Sequence, residues 1–244
     1  MGIQEYRKRT LPIIQKVEGQ KMIDAIKVSN NGKTGISINV SIPKTCQPTK
    51  ECSTYCYGFR GPITFSNSIT AQAENSVRFE YLETASQDEV DRECDQIAAI
   101  VRKEKQTWLR WNGVGDLTPG SVRVINRMVE LHPEITLWVV SRKVDEVKKL
   151  SDHKSIKILF SLDRSTPDTI LQRAKELRKT YKRAKFRFAF TRRDSKSVPR
   201  NVSIIFNEHI GRRKSDFADK RVCEATLPDN AHEGSCDKCR RCFS

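Results

Sequence analysis

Six short apolar runs, separated by stretches with helical spacing, constrain this chain more than any other feature. The runs are GISINVSI (35–42), TWLRW (107–111), ITLWVV (135–140), IKILFSL (156–162), KFRFAFT (185–191) and VSIIF (202–206). Their length and their content of β-branched and aromatic residues read as strands. Over 87–105, Val90, Cys94, Ile97, Ala98 and Val101 recur at i, i+4, i+7, i+8 and i+11, the stripe of an amphipathic helix. Thr118-Pro119 opens a helix through Val122, Ile125 and Val129, a short helix covers Val144 to Leu150, and Thr166-Pro167-Asp168 starts another that runs to Lys179.

Strands that alternate with helices pair in parallel through right-handed crossovers, so the expected class is α/β. Six such units take roughly 170 residues, fewer than the ~250 of a closed eight-unit barrel, which points to a partial (β/α)6 TIM-like barrel or an open sheet. In either arrangement ligands bind at the carboxyl ends of the strands. Segment 1–34 reads as a helical lead-in, 35–210 as the barrel-like unit and 211–244 as a basic, cysteine-rich extension.

The first strand runs directly into TCQPTKECSTYCY, where Cys46, Cys52 and Cys56 follow a C-x5-C-x3-C spacing. The amino terminus has no apolar signal region, and no apolar run reaches the roughly 18 residues of a membrane span, so a cytoplasmic location without a membrane partner is expected. In that reducing setting the eight cysteines do not read as four disulfides. Three thiolates on one loop are one short of closed ligation, which leaves a position open on zinc or on one iron of a 4Fe-4S cluster. A structural zinc site closed by a distant Cys, His209 or His232 is the alternative.

The remaining clustered cysteines, Cys223, Cys236, Cys239 and Cys242, form C-x12-C-x2-C-x2-C at the carboxyl terminus. The overlapping C-x2-C units match the cysteine run of bacterial ferredoxins, so a second 4Fe-4S cluster is expected. Zinc, free thiols, or ligands that complete the first cluster are the other readings. Arg240 and Arg241 lie between ligands and are expected to face outward.

With 45 Lys and Arg against 30 Asp and Glu, the formal charge is +15, which favours a polyanion such as nucleic acid as partner. Basic runs occur at 6–9, 178–185 and 191–194, and near the carboxyl terminus at Arg212, Arg213, Lys214, Lys220, Arg221 and Lys238. The alternation of Phe186, Phe188 and Phe190 fits strand core better than base stacking. The four histidines are scattered, so no hydrolytic grouping is legible.

The cysteine loop after the first strand resembles that of the radical S-adenosylmethionine superfamily, in which three cysteines hold a 4Fe-4S cluster on a partial six-unit barrel. That family's usual spacing is C-x3-C-x2-C, shorter than the one here. The resemblance implies that Tyr55, before the last cysteine, lies near the adenine. It also implies that Gly113, Gly115 and Asp116 of NGVGDL meet the amino group of S-adenosylmethionine, and that Ser161 and Asp163 lie near its ribose. Read without the resemblance, NGVGDL is equally a strand-to-helix turn capped by Asp116 or Thr118. More narrowly, SIPKTC, CYG, LRWNGVGDL and the cysteine-rich terminus are similar to the phage and plasmid gene product 88 family. The two functions implied are a radical enzyme, with a reductant, acting on a polyanion, and a non-catalytic 4Fe-4S or zinc protein that binds nucleic acid.

Overall fold

The computed structural model describes residues 2–20, 23–31, 35–192, 198–207, 219–223 and 236–242. His209, His232, Arg212, Arg213, Lys214 and the side chains of Tyr55 and Lys238 lie outside the described residues. In chain order the elements are α1 (Ile3–Glu18), β1 (Val28–Asn31), β2 (Gly35–Ile38), α2 (Ile42–Thr45), α3 (Lys50–Tyr55), α4 (Ser66–Leu82), α5 (Gln87–Lys103) and β3 (Trp108–Trp111). There follow α6 (Pro119–Leu131), β4 (Thr136–Ser141), α7 (Val144–Val147), β5 (Ile156–Leu162), α8 (Asp168–Thr180), β6 (Lys185–Arg192), β7 (Ile204–Asn207) and α9 (Cys236–Cys239).

Each of the six apolar runs contains a strand. Among the described residues, seven strands make one sheet in simple sequential order, β1 to β7. β1 runs antiparallel to β2, with Val28 opposite Ile38, and the other pairs are parallel. The protein is therefore a mixed α/β fold on a mostly parallel sheet. The lead-in segment contributes both α1 and the edge strand β1, and the long helix α4 completes an element set that the apolar runs only partly announce.

Side chains alternate across the strands and build two separate cores. On one face Ile38, Trp111, Val139, Ile158, Phe160, Phe186, Phe188 and Phe190 pack with apolar residues of α4, α5, α6, α7 and α8. The three phenylalanines of β6 thus belong to this core, as their alternation predicts. Cys94 does too, its thiol directed to the Val124 carbonyl at 3.7 Å. On the opposite face Trp108, Trp138, Leu159, Ala189 and Ile204 form a smaller cluster, against which Cys223, Cys236 and Cys242 pack.

Local chemistry sets the helix ends. Ser86 and Glu89 form a capping box on α5, and Thr118 with Ser121 forms one on α6, where Pro119 occupies the first turn. Replacement of Thr118 by Ala removes the acceptor of the Ser121 N–H and is expected to cost about 1 kcal/mol in urea unfolding. Arg78 and Glu93 form a buried pair: they meet at 2.7 Å, and Glu93 also accepts from the Ile26 N–H at 2.7 Å. No described helix is long and apolar enough to cross a membrane.

Candidate metal centre

The first cysteine loop leaves β2 through a short, tightly bonded path. Asn75 of α4 donates to the Asn39 carbonyl at 2.8 Å, and the Ser41 N–H donates to Ser76 Oγ at 2.9 Å. α2 then ends at Cys46, whose N–H donates to the Ile42 carbonyl at 3.0 Å. Pro48 separates this turn from α3, which Thr49 caps by accepting from the Cys52 N–H at 3.2 Å. Cys56 forms the other end of α3, so a helix of six residues sets the separation of Cys52 and Cys56.

All three thiols lie within one another's field. Burial, then the neighbouring Asp116 and Cys52, push the Cys46 thiol above its ordinary pKa. Cys56 is raised by its hydrogen bond with Cys52, by burial and by the charge of that neighbour. Cys46 and Cys56 pack against Tyr6, Ile42, Phe59 and Val114. Tyr6 of α1 packs on Phe59 with ring centroids 4.7 Å apart and planes tilted by 34°, and its hydroxyl is pushed up to about 12 by burial and by the neighbouring Cys56 and Cys46. The segment read as a basic run thus turns Tyr6 inward onto the cysteines while Arg7, Lys8 and Arg9 face solvent.

Asp116, Gly115 and Gly113, three of the residues expected at this site, lie beside the cysteine loop at the same carboxyl end of the strands. Asp116 is buried and accepts from Ser141 Oγ at 2.6 Å, the Leu117 N–H at 2.8 Å and the Arg142 N–H at 3.2 Å. Burial raises its pKa, against the pull of these donors and of Lys143. Its own N–H donates to Thr45 Oγ1 at 3.0 Å, which ties the turn to the residue before Cys46. Gly115 has φ +83°, and a Cβ there would fall 2.5 Å from the Val40 carbonyl oxygen, so the close approach it allows is to the chain's own backbone. The Gly113 carbonyl accepts from the Tyr57 hydroxyl.

Asp163 holds the loop from the far side. Its carboxylate accepts from Thr49 Oγ1 at 2.5 Å, Arg142 Nη1 at 2.7 Å and Ser165 N–H at 2.9 Å, and Ser165 Oγ accepts from the Glu51 N–H at 2.8 Å. Burial alone would raise this acid, but Arg142, Thr49 and Ser165 outweigh it and hold Asp163 below the carboxylate range. Arg142 is held protonated by Cys52 and Asp163 in spite of its burial. Ser161 lies opposite Ala189 in the β5–β6 register. Thr49, Arg142, Ser141, Ser165 and Tyr6 escape the sequence reading because their roles depend on contacts between distant segments.

The gene product 88 family matches the chain over residues 12–244. The chain belongs to that family. Comparison with curated proteins and with solved structures gave no match. The family match spans both cysteine groups, which the structure keeps in different surroundings.

In this family member, Cys223 follows a bridge between Val222 and Ile205 and donates its N–H to the Ile205 carbonyl at 2.8 Å. α9 carries Cys236 and Cys239, and Arg240 turns the chain with φ +49° toward Cys242. Burial, then Cys223 and Cys236, raise the Cys242 thiol, while Arg110 opposes them. Arg240 is exposed as expected. Arg241 departs from the expectation: it folds back to donate to the Lys220 and Val222 carbonyls, both at 3.0 Å, so its guanidinium serves main-chain acceptors. Among the described residues, no three His, Cys, Asp or Glu side chains meet in the geometry of a single-ion site.

Proposed function

We propose that this protein is an iron-sulfur protein on a radical S-adenosylmethionine-like partial barrel, and that it binds or acts on nucleic acid. The observation that carries the reading is the gathering of Cys46, Cys52 and Cys56 at the carboxyl end of the parallel strands, with two of the thiols against an apolar wall. Soft thiolates in a dry setting suit a cluster, and three of them leave one iron open. Sequential strand order with α4 to α8 feeding one core supports an open part of a barrel. The +15 charge supports the polyanionic partner.

A 4Fe-4S cluster at this loop would offer one electron and an open iron to S-adenosylmethionine. The chain's own residues have separable tasks there. Tyr6, Ile42, Phe59 and Val114 exclude water, Thr49 and Asp163 fix the helix that carries Cys52, and Gly115 fixes the turn before Asp116. Cys223, Cys236, Cys239 and Cys242 supply a donor set for a second cluster, with zinc as the alternative metal.

One observation favours the non-catalytic reading. Asp116 and Asp163, the acids that would meet the amino group and the ribose, both accept hydrogen bonds from within the protein. A clustered scaffold that binds nucleic acid without turnover fits that arrangement. Anaerobic purification, with counts of iron, sulfide and zinc, tests the shared premise. Iron and sulfide are expected, and Cys52→Ala is expected to remove one cluster's signal and spare the other. Zinc without iron would overturn both versions. Release of 5'-deoxyadenosine after reduction with S-adenosylmethionine present selects the enzyme, and iron without release selects the binding protein.

A further inference from the structure

The sheet face that carries Trp108 and Trp138 also carries Arg110 and Arg187. Alternation along β3 puts Arg110 on the side of Trp108, opposite Trp138 in the β3–β4 register, and its guanidinium carbon lies 4.7 Å from the centroid of the Trp138 ring. Arg187 shares its face with Ala189 on β6, opposite Leu159 of β5. Cys223, Cys236 and Cys242 pack on this same apolar cluster.

Arg110 is half-buried and its Nε is fully so, yet among the described residues it makes no hydrogen bond and meets no carboxylate. The other inward guanidinium groups are anchored, Arg78 by Glu93 and Arg142 by Asp163. The Trp138 face offsets only part of the cost of taking a charge out of water. Cys242 shares the field of Arg110, which favours its thiolate against burial, Cys223 and Cys236. Arg187 donates to the carbonyl of Arg241, the residue before Cys242, and Cys242 in turn favours the Arg187 charge. Lys157 and Lys185 lie in the field of Arg187, so the surroundings of these cysteines are cationic. Four thiolates outweigh the charge of one zinc ion or of a 4Fe-4S core, so a loaded four-cysteine centre is an anion. On an apolar face such an anion needs cations beside it.

We propose that Arg110 is the counter-charge of the carboxyl-terminal four-cysteine centre, with Arg187 as a second cation, and that this pairing docks the loaded segment on the tryptophan face of the sheet. The inference rests on the second centre of the proposed function and adds what holds it there. Arg110 acts through the thiolates, so it is a positioning residue. Metal binding and docking of the segment are thereby coupled: the loaded centre supplies the anion that Arg110 lacks, and Arg110 stabilises the loaded centre. A cation at this position also raises the reduction potential of a cluster bound to these cysteines, because it favours the added electron.

The test uses the full chain with Cys52→Ala, which weakens the first loop as a competitor, and cobalt(II) as the probe, read by its thiolate absorption under chelator competition. The signal that Cys239→Ala removes belongs to the carboxyl-terminal centre. Arg110→Met is expected to weaken cobalt retention there at least about tenfold, the loss typical of a missing outer partner, and Arg110→Lys, which keeps the charge, to recover most of it. Without metal, Arg110→Met should be as stable in urea as the native chain or more so, since it no longer buries an unpaired charge. In the iron-loaded chain it should shift the reduction equilibrium about tenfold toward the oxidised form, about 59 mV for one electron. Arg173→Gln removes the same charge from the exposed surface of α8 and is expected to change retention less than about threefold. Native-like cobalt retention by Arg110→Met overturns the inference. Equal losses of stability with and without metal also overturn it, since they make Arg110 a packing residue. If no cobalt or iron signal of the native chain depends on Cys239, the second centre itself falls and the inference with it.

Discussion

Asp163→Asn is expected to lower stability by about 3 kcal/mol in urea unfolding, because it leaves the largely buried Arg142 guanidinium without its countercharge. The Asp163 side chain is 1% exposed and lies 2.7 Å from Arg142, so water cannot replace it. The effect depends on pH with a definite sign. Since the native acid is held below its ordinary value, the contribution is complete above about pH 4 and is lost as the pH falls through the lowered native pKa. The gap between native protein and variant should therefore narrow in acid. Adding Arg142→Met should give a double variant at least about 1 kcal/mol more stable than the sum of the two single losses. Strict additivity would show that the pair is not coupled. The same change frees the Thr49 cap, so the helix carrying Cys52 should also lose amide-exchange protection.

Gly120→Ala is expected to cost about 3 kcal/mol or more, although alanine is the better helix former. Gly120 lies in the first turn of α6 where that helix crosses α4. A Cβ there would overlap the Phe79 carbonyl oxygen and come within 2.8 Å of its carbonyl carbon. These are backbone atoms inside a helix, so no rotamer change relieves the clash and the two helices must separate. Urea unfolding of Gly120→Ala measures the loss, and a variant as stable as the native chain would show that α6 sits farther from α4. Because α4 also bonds the strand leading into the cysteine loop through Asn75 and Ser76, the variant should lower amide-exchange protection around Cys46 as well as global stability.

These two sites show which parts of the molecule are local in origin. The apolar alternation in 185–191 and the helical stripe in 87–105 lie on consecutive residues, and β6 and α5 formed where those patterns predict. Thr118-Pro119 likewise announced α6, since a cap needs only its own first turn. The helix α4 was not announced by the apolar runs. Its buried positions include Asn75, Ser76 and Arg78, polar residues whose partners lie in other segments. The same holds for Tyr6, which sits within a basic run and becomes buried only because Phe59 and the cysteines lie opposite it.

By itself the sequence determined the alternation of strands and helices, the cysteine loop that follows the first run, and the excess of positive charge, because each is written in neighbouring residues. Only the tertiary structure decided what surrounds them. It placed α1 over the first thiols, committed Asp116 and Asp163 to Ser141 and Arg142, and packed the last cysteines on the tryptophan face of the sheet. It also brought Lys157, Lys185 and Arg187 together at one edge. Their positions in the chain are too far apart for any local pattern to bring them together, and the pairing of β5 with β6 is what makes them one surface.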